Sequence, residues 1–291
     1  MTTSAHLPPL ATPSTSLVVR AFGLTDPGRV RSSNEDQFLV AELSRTLRVQ
    51  QTSLTQATSY RSRSRGHVFL VADGMGGHAA GEVASALTVE TVEGFVVELL
   101  RRFSNLQADD ESGVLADLRE AVRQADARIF EESEHHPELA GMGTTLTLAF
   151  ASGRRLFVFH AGDSRCYLIR GGRLARMTED HTVTAELVRR GAITPEEARH
   201  HPARHVVTNI LGGGHAGVQV DVRRVDLDAG DAVLICSDGL TDMLDDARIA
   251  AVLAAESEPE AACARLVAQA NEAGGRDNIT AVVARFEAAP A

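Results

Sequence analysis

Lysine is absent from this 291-residue chain, so all 29 of its basic residues are arginine. Three large classes of enzyme depend on a lysine at a fixed place. P-loop NTPases bind phosphate through a lysine, protein kinases carry a catalytic lysine on a strand, and Schiff-base enzymes use a lysine as the nucleophile. The sequence therefore excludes all three classes.

Long apolar runs are also missing. No stretch approaches the roughly 20 apolar residues that a membrane-spanning helix needs. Residues 1–16 lack the charged segment followed by an apolar segment that marks a signal peptide. We therefore expect a cytoplasmic protein that does not bind membranes.

Cysteine is scarce, and its three instances are an odd number that cannot all pair within the chain. Cys166 and Cys236 lie in apolar segments typical of strands, so we interpret the cysteines as small buried hydrophobic residues in a reducing compartment. A cysteine-dependent phosphatase is excluded, because Gly172, Asp242 and Gln269 stand where that class needs an arginine.

Positive charge is in deficit as well, since the formal net charge is -10 and the pI is about 5.6. Nucleic acids and anionic membranes are bound through basic surfaces. The charge balance therefore argues against either as the main partner.

The hydrophobic content of 44% is ample for a core. We expect a flexible lead rich in Pro, Ser and Thr over residues 1–16, followed by one catalytic domain over residues 17–291. Residues 44–66 are polar and rich in arginine, and they predict a long, solvated hairpin loop rather than a docking patch. Residues 178–214 form another polar segment, with two short helices.

Apolar patterning predicts an α+β fold, in which antiparallel sheets are covered by pairs of helices. Strands are predicted at Leu17–Leu24, Gln37–Ala41, Val68–Ala72, Thr144–Phe150, Leu156–Ala161, Cys166–Ile169, Leu174–Met177, Val218–Leu227, Ala232–Cys236 and Ile279–Phe286. Helices are predicted at Ala80–Phe103, Gly113–Glu132, Val183–Arg190, Pro195–His200, Asp246–Ala255 and Pro259–Ala273.

Five aspartates stand in short motifs that contain or adjoin glycine, or that precede a strand. They are Asp36, Asp73, Asp163, Asp238 and Asp277. Three of these motifs directly follow apolar runs that predict strands, so their carboxylates would meet where strands end. A lone Asp-Gly pair is usually a turn, but an ordered set of this kind indicates a shared acidic site.

Converging carboxylates repel one another unless cations neutralise them, so the set predicts a metal site. All candidate ligands are oxygen donors, and no cysteine or histidine spacing suits zinc. Oxygen ligands favour Mg²⁺ or Mn²⁺. Two such ions, about 3.5 to 4 Å apart, would lower the pKa of a bridging water and supply a hydroxide for attack on phosphorus.

Several motifs of this chain, in the same order, are those of one known family. They are Arg31-x-x-x-Glu35-Asp36, Asp73-Gly-Met-Gly-Gly-His78-x-x-Gly81-Glu82, Gly143-Thr144-Thr145, Gly162-Asp163-Ser164-Arg165, Thr178-Glu-Asp180-His181, Ser237-Asp238-Gly239-Leu240 and Asp277-Asn278-Ile279-Thr280. From about Leu17 to Phe286 the chain resembles the bacterial form of the metal-dependent protein phosphatases (PPM, or phosphatase 2C). The resemblance implies a sandwich of two antiparallel sheets with outer helices, and hydrolysis of phosphoserine and phosphothreonine in proteins.

The same resemblance implies the metal ligands. Asp73 would bridge two Mn²⁺ or Mg²⁺ ions, with Glu35 and the Gly74 carbonyl on one side. Asp238 and Asp277 would lie on the other side, Asp36 would act through water, and Asp163 with Asp238 would hold a weaker third ion. Residues 178–214 correspond to the mobile flap of the family.

Arg31 can hold a phosphate through two parallel hydrogen bonds, which suits the substrate-binding role that its motif implies. An imidazole at His78, beside the metal motif, would protonate the leaving alkoxide as a general acid. The alternative for His78 is an exposed or indirectly acting side chain.

The segment 212–217 matches the dinucleotide-binding pattern G-x-G-x-x-G. This segment precedes a strand instead of linking a strand to a helix, so it predicts a loop and not a dinucleotide site.

Two other functions remain open at this point. A catalytically inactive relative would bind phosphoproteins, but it would have lost a metal aspartate, and none is lost here. A phosphatase devoted to one partner-switching regulator is the alternative within the enzyme class. The Arg31 motif and the flap favour a broader enzyme that opposes Ser/Thr kinases, with phosphorylated proteins as partners and a monomeric state.

Overall fold

The computed structural model describes residues 17–47, 60–76, 79–102, 111–214 and 217–289. The strands are β1 (Leu17–Asp26), β2 (Asp36–Leu47), β3 (Tyr60–Met75), β4 (Gly143–Thr144), β5 (Leu146–Ser152), β6 (Arg155–Ala161), β7 (Arg165–Arg170), β8 (Arg173–Arg176), β9 (Leu211–Gly212), β10 (Asp221–Asp226), β11 (Ala232–Cys236) and β12 (Ile279–Ala288). The helices are α1 (Ala79–Arg102), α2 (Glu111–His135), α3 (Val183–Arg189), α4 (Pro195–Arg199), α5 (Asp238–Thr241), α6 (Asp246–Ala255) and α7 (Pro259–Glu272).

The strands form two antiparallel sheets. One has five strands in the order β1-β12-β11-β7-β8. The other has seven, in the order β10-β6-β5-β3-β4-β9, with β2 added alongside β3. Each sheet buries apolar side chains on both faces, because its outer face is covered by helices and its inner face packs on the other sheet.

Three apolar clusters fill the spaces between these layers. Phe69, Val158, Val233 and Val282 belong to the cluster between the sheets. A second cluster lies under α1 and α2 against the seven-stranded sheet, and a third lies under α6 and α7 against the five-stranded sheet. The predicted α+β sandwich with outer helices is therefore confirmed. In the described part of the chain, no helix is both long enough and apolar enough to cross a membrane.

The long hairpin between β2 and β3 corrects one expectation. Residues 44–66 are predicted as a loop, yet β2 continues to Leu47 and β3 already begins at Tyr60. Leu47 pairs with Tyr60, beyond a shift in register between Ser44 and Thr46. Ladder hydrogen bonds join backbone groups and need no apolar side chains, so a polar sequence can extend a hairpin. Residues 48–59 lie outside the described residues.

Candidate active site

The first pair of carboxylates arises from strand register. Asp36 begins β2 and stands directly opposite Asp73, near the end of β3. The Gly74 amide donates to the Glu35 carbonyl at 3.2 Å, which ties the two strand ends together. Because directly opposed residues have close side chains, this register alone brings two acidic groups to one edge of the seven-stranded sheet.

The backbone of Asp73 is fixed by the Gly143-Thr144-Thr145 motif. The Asp73 amide donates to the Thr145 hydroxyl at 3.0 Å, and the Asp73 carbonyl accepts from the Thr145 amide and the Thr144 hydroxyl at 2.9 Å each. Because these hydrogen bonds fix the backbone of Asp73, they also fix the position from which its carboxylate extends.

Asp36 is 2% exposed. Its Oδ2 accepts from the hydroxyls of Ser237 and Thr280, at 2.7 and 2.6 Å. Its Oδ1 is buried and has no hydrogen-bond partner. Burial, with the charges of Asp238 and Asp277 as smaller contributors, raises the pKa of Asp36 to about 7.

The five-stranded sheet supplies further carboxylates. Asp238 follows β11 at the start of α5, and Asp277 lies just before β12. Burial, followed by the charges of Asp242 and Asp277, raises the pKa of Asp238 to about 6. Burial and the charges of its four acidic neighbours raise the pKa of Asp73 well above its usual range.

Asp163 lies in the turn that carries the chain from β6 in one sheet to β7 in the other. It is 9% exposed, and burial followed by the charge of Asp238 raises its pKa well above the ordinary value. Each of the five aspartates predicted from the sequence therefore interacts electrostatically with at least one of the others, and they come from both sheets.

Glu35 fits beside this group because Gly81 leaves room for it. A Cβ built on Gly81 would lie 2.2 Å from Glu35 Oε2, and one built on Gly74 would lie 2.1 Å from the Gly81 carbonyl oxygen. Real Cβ contacts are never this close, so both glycines are needed where α1 meets the end of β3. The Glu35 amide donates to Asn278 Oδ1 at 2.8 Å, which links this residue to the Asp277 motif.

Arg31 stands at the mouth of the acidic group. Its Nη2 lies 2.6 Å from Asp277 Oδ2, and its side chain is 55% exposed. The hydrogen bond to Asp277 raises the pKa of Arg31 further, so its charge is permanent. His78, the other predicted catalytic residue, lies outside the described residues.

The Thr178 to His181 motif packs against the motif of Asp163. Arg165 makes a two-pronged contact with Asp180, at 2.7 and 3.1 Å, and Arg176 also binds Asp180. The Cys166 amide donates to the Thr178 hydroxyl at 3.1 Å. Residues 178–181 are thereby joined to the first residues of β7.

Two polar neighbours of the site are absent from the predicted set. His205 and Asp242 each offer a ligand atom that lies with one from Asp238 in a group spanning no more than 4.8 Å. His205 Nδ1 is 3.5 Å from Asp242 Oδ2. Asp242 lies four residues beyond Asp238 in the sequence, so helical spacing is a signal for it. No local pattern marks His205.

Residues 48–273 match the family described as Protein phosphatase 2C, and the chain belongs to this family. Serine/threonine protein phosphatase PstP of Mycobacterium tuberculosis is 38% identical over 270 residues, which cover 92% of this chain and 45% of PstP. Serine/threonine phosphatase stp of Listeria welshimeri is 32% identical over 259 residues, or 89% of this chain and 92% of that protein. Among solved structures, the catalytic domain of PstP in complex with two manganese ions has a TM-score of 0.73 at 36% identity, over 94% of this chain and 100% of that one.

Proposed function

We propose that this chain is a metal-dependent serine/threonine protein phosphatase that hydrolyses phosphoserine and phosphothreonine. The observation that carries the proposal is the convergence of buried carboxylates whose charges raise one another's pKa values, together with Asp36 Oδ1, a buried oxygen without a hydrogen-bond partner. Buried acids at such close quarters resist ionisation unless cations neutralise them. The acidic group therefore suits divalent ions that take oxygen ligands.

The names of the relatives support the same activity, and one of them binds two manganese ions. This chain spans 45% of the length of PstP and 92% of the length of the Listeria protein. The activity of the whole protein is for this reason part of the proposal.

We assign the ligands by motif and position. Asp73 would be shared by two ions, Glu35 and the Gly74 carbonyl would be ligands of one of them, and Asp238 and Asp277 would be ligands of the other. Two more carboxylates complete the set: Asp36 would act through water, and Asp163 with Asp238 would hold a third ion more weakly. When bound, Mn²⁺ or Mg²⁺ lowers the pKa of water and neutralises charge on the phosphoryl group.

The protein itself must bind and orient the phosphorylated residue. Arg31 is permanently charged and half-exposed beside Asp277, so its guanidinium can turn to a substrate phosphate at the edge of the acidic group. The hydroxyls of Ser237 and Thr280 both donate to Oδ2 of Asp36, so they restrain this carboxylate and leave Oδ1 without a protein partner. His78 is proposed to protonate the leaving alkoxide.

The decisive test is phosphate release from a phosphothreonine peptide by protein stripped of metal, with and without added Mn²⁺. We expect no release without metal and full activity after Mn²⁺ is restored. Undiminished turnover, with trace metal verified as absent, would contradict the mechanism. Binding of phosphopeptides without hydrolysis under any metal would indicate the inactive phosphoprotein-binding alternative.

The Arg31→Ala and His78→Ala variants form a matched pair. Arg31→Ala should lower kcat/KM by about 10- to 100-fold on a phosphothreonine peptide and on p-nitrophenyl phosphate alike, because both esters present the same phosphate and a charge-assisted contact is lost.

His78→Ala should lower kcat for hydrolysis of the peptide by about 10²- to 10⁴-fold. It should leave hydrolysis of the aryl ester nearly unchanged, because the leaving group of that ester needs little protonation.

The comparison within each variant separates the two roles. Equal slowing of both esters in His78→Ala would reject the general-acid role. Loss of Mn²⁺ affinity in Arg31→Ala would instead assign Arg31 to the metal site.

We further propose a monomeric, cytoplasmic enzyme with one catalytic domain over residues 17–291, acting on phosphorylated proteins that include Ser/Thr kinases. The flap over residues 178–214 would shape access to the site. A phosphatase devoted to one partner-switching regulator is the alternative, and turnover of several unrelated phosphopeptides would exclude it.

A further inference from the structure

His181 binds both backbone hydrogen-bonding groups of Gly162, the residue that directly precedes Asp163. Its Nδ1 accepts from the Gly162 amide at 3.1 Å, and its own amide donates to the Gly162 carbonyl at 2.7 Å. Gly162 has a φ of +116°, and a Cβ there would lie 2.5 Å from the Cβ of Thr145. Gly162 therefore takes a backbone conformation suited to glycine, and His181 binds both of its hydrogen-bonding groups.

The other contacts of the ring determine its tautomer. Asn209 Nδ2 also donates to His181 Nδ1, at 2.9 Å. With two donors directed at Nδ1, the ring proton resides on Nε2, which donates to Asp221 Oδ2 at 3.1 Å. His181 thus acts as an acceptor toward the Asp163 turn and as a donor toward β10.

The same residue joins the two ends of the flap. His181 stands near its start, while Asn209 and Thr208 stand near its end, and the Thr208 amide donates to the His181 carbonyl at 2.8 Å. Behind the ring, His160 packs with its centroid 4.9 Å away, and its Nε2 donates to the Glu179 carbonyl at 3.0 Å. The side chain of His181 is only 14% exposed, so these contacts leave it little freedom to turn.

We infer that His181 is a positioning residue: it fixes the Gly162–Asp163 turn so that Asp163 can hold the weaker third ion, and it makes that ion's affinity depend on the flap. This inference rests on the proposed assignment of Asp163 to a third ion. His181 acts through Gly162 and does not itself contact the ion.

The two ring nitrogens of His181 have different partners, and a different amide side chain can replace each nitrogen. In His181→Asn, the side-chain oxygen occupies the position of Nδ1 and keeps an acceptor for the Gly162 amide. In His181→Gln, the amide nitrogen reaches toward Asp221, but no acceptor remains beside Gly162. His181→Ala removes both ends.

The experiment is titration of the metal-free full chain with Mn²⁺, with free Mn²⁺ measured by electron paramagnetic resonance. For the wild type we expect two tight ions and one weaker ion. His181→Ala and His181→Gln should weaken the third ion by about 10-fold, since a hydrogen bond that fixes its ligand is lost, and leave the two tight ions within about twofold. His181→Asn should retain wild-type affinity, and Asp163→Ala should lose the third ion.

The possible results are distinguishable. Loss of the third ion in Asp163→Ala, with wild-type binding in both His181→Ala and His181→Gln, would overturn the inference alone. Persistence of the third ion in Asp163→Ala would overturn the third-ion assignment and the inference with it. Equal weakening of tight and weak ions, without recovery in His181→Asn, would show that His181 only supports the fold.

Discussion

Asp73→Asn is expected to lower kcat on a phosphothreonine peptide, at saturating Mn²⁺, by about three orders of magnitude. Asp73 is the carboxylate proposed to be shared by the two ions, and the amide of asparagine would offer them no negative charge. Metal ions contribute several kcal/mol to stabilising a phosphoryl transition state, and each 1.4 kcal/mol is about tenfold in rate. Turnover of peptide under single-turnover and steady-state conditions measures the loss.

The fold of Asp73→Asn should persist. Its metal-free form should be at least as stable as the metal-free wild type, because burial and four acidic neighbours already disfavour a charge at this position. Asp226→Asn is a matched control, since Asp226 lies on the exposed edge strand β10 with a side chain 77% exposed. Near wild-type turnover in Asp73→Asn that still requires metal would show that Asp73 does not bridge the ions.

The metal-free protein should lose stability as the pH rises from about 4 to about 7. Asp36 and Asp238 have pKa values near 7 and 6 in the folded state, both raised mainly by burial, against an ordinary value of 3.8. Between these limits the folded protein binds more protons than the unfolded chain, so deprotonation favours unfolding. The contribution is on the order of a few kcal/mol, and urea unfolding at a series of pH values measures it.

Saturating Mn²⁺ should reverse this trend, because the ions bind the deprotonated carboxylates and compete with protons for them. Asp36→Asn should flatten the pH dependence of the metal-free protein, since one of the titrating groups is gone. A metal-free wild type that gains stability over this pH range would show that the carboxylates are ionised without cations, and would contradict the electrostatic account of the site.

Much of the site is readable from the sequence because its ligands sit at the ends of regular elements. Apolar runs locate the strands of Asp73, Asp163 and Asp238. β6 and β11 end at Ala161 and Cys236 as predicted, whereas β3 continues beyond its predicted end at Ala72 as far as Met75. Such patterns depend only on residues close together in the sequence, so they can predict where a strand lies. The strand register that sets Asp36 against Asp73 follows from pairing of the two apolar runs.

Contacts between distant segments were not predictable in the same way. His205, within residues 178–214, approaches Asp242, and this segment has no apolar periodicity from which its path could be predicted. The Asp180 contacts with Arg165 and Arg176 depend on how the two motifs pack. The sequence does not predict the extension of the β2–β3 hairpin, because its polar residues suggest a loop. The two strands are instead paired through backbone hydrogen bonds.

The division of the acidic group between the sheets has a consequence for folding. Asp36 and Asp73 belong to the seven-stranded sheet, while Asp238 and Asp277 border strands of the five-stranded sheet. Neither sheet alone contains all the proposed ligands, so under this assignment a chain with only one sheet formed would have no strong site for a divalent ion. We therefore expect strong metal binding only after the two sheets have docked, and a bound ion would then resist their separation because it stabilises the folded state.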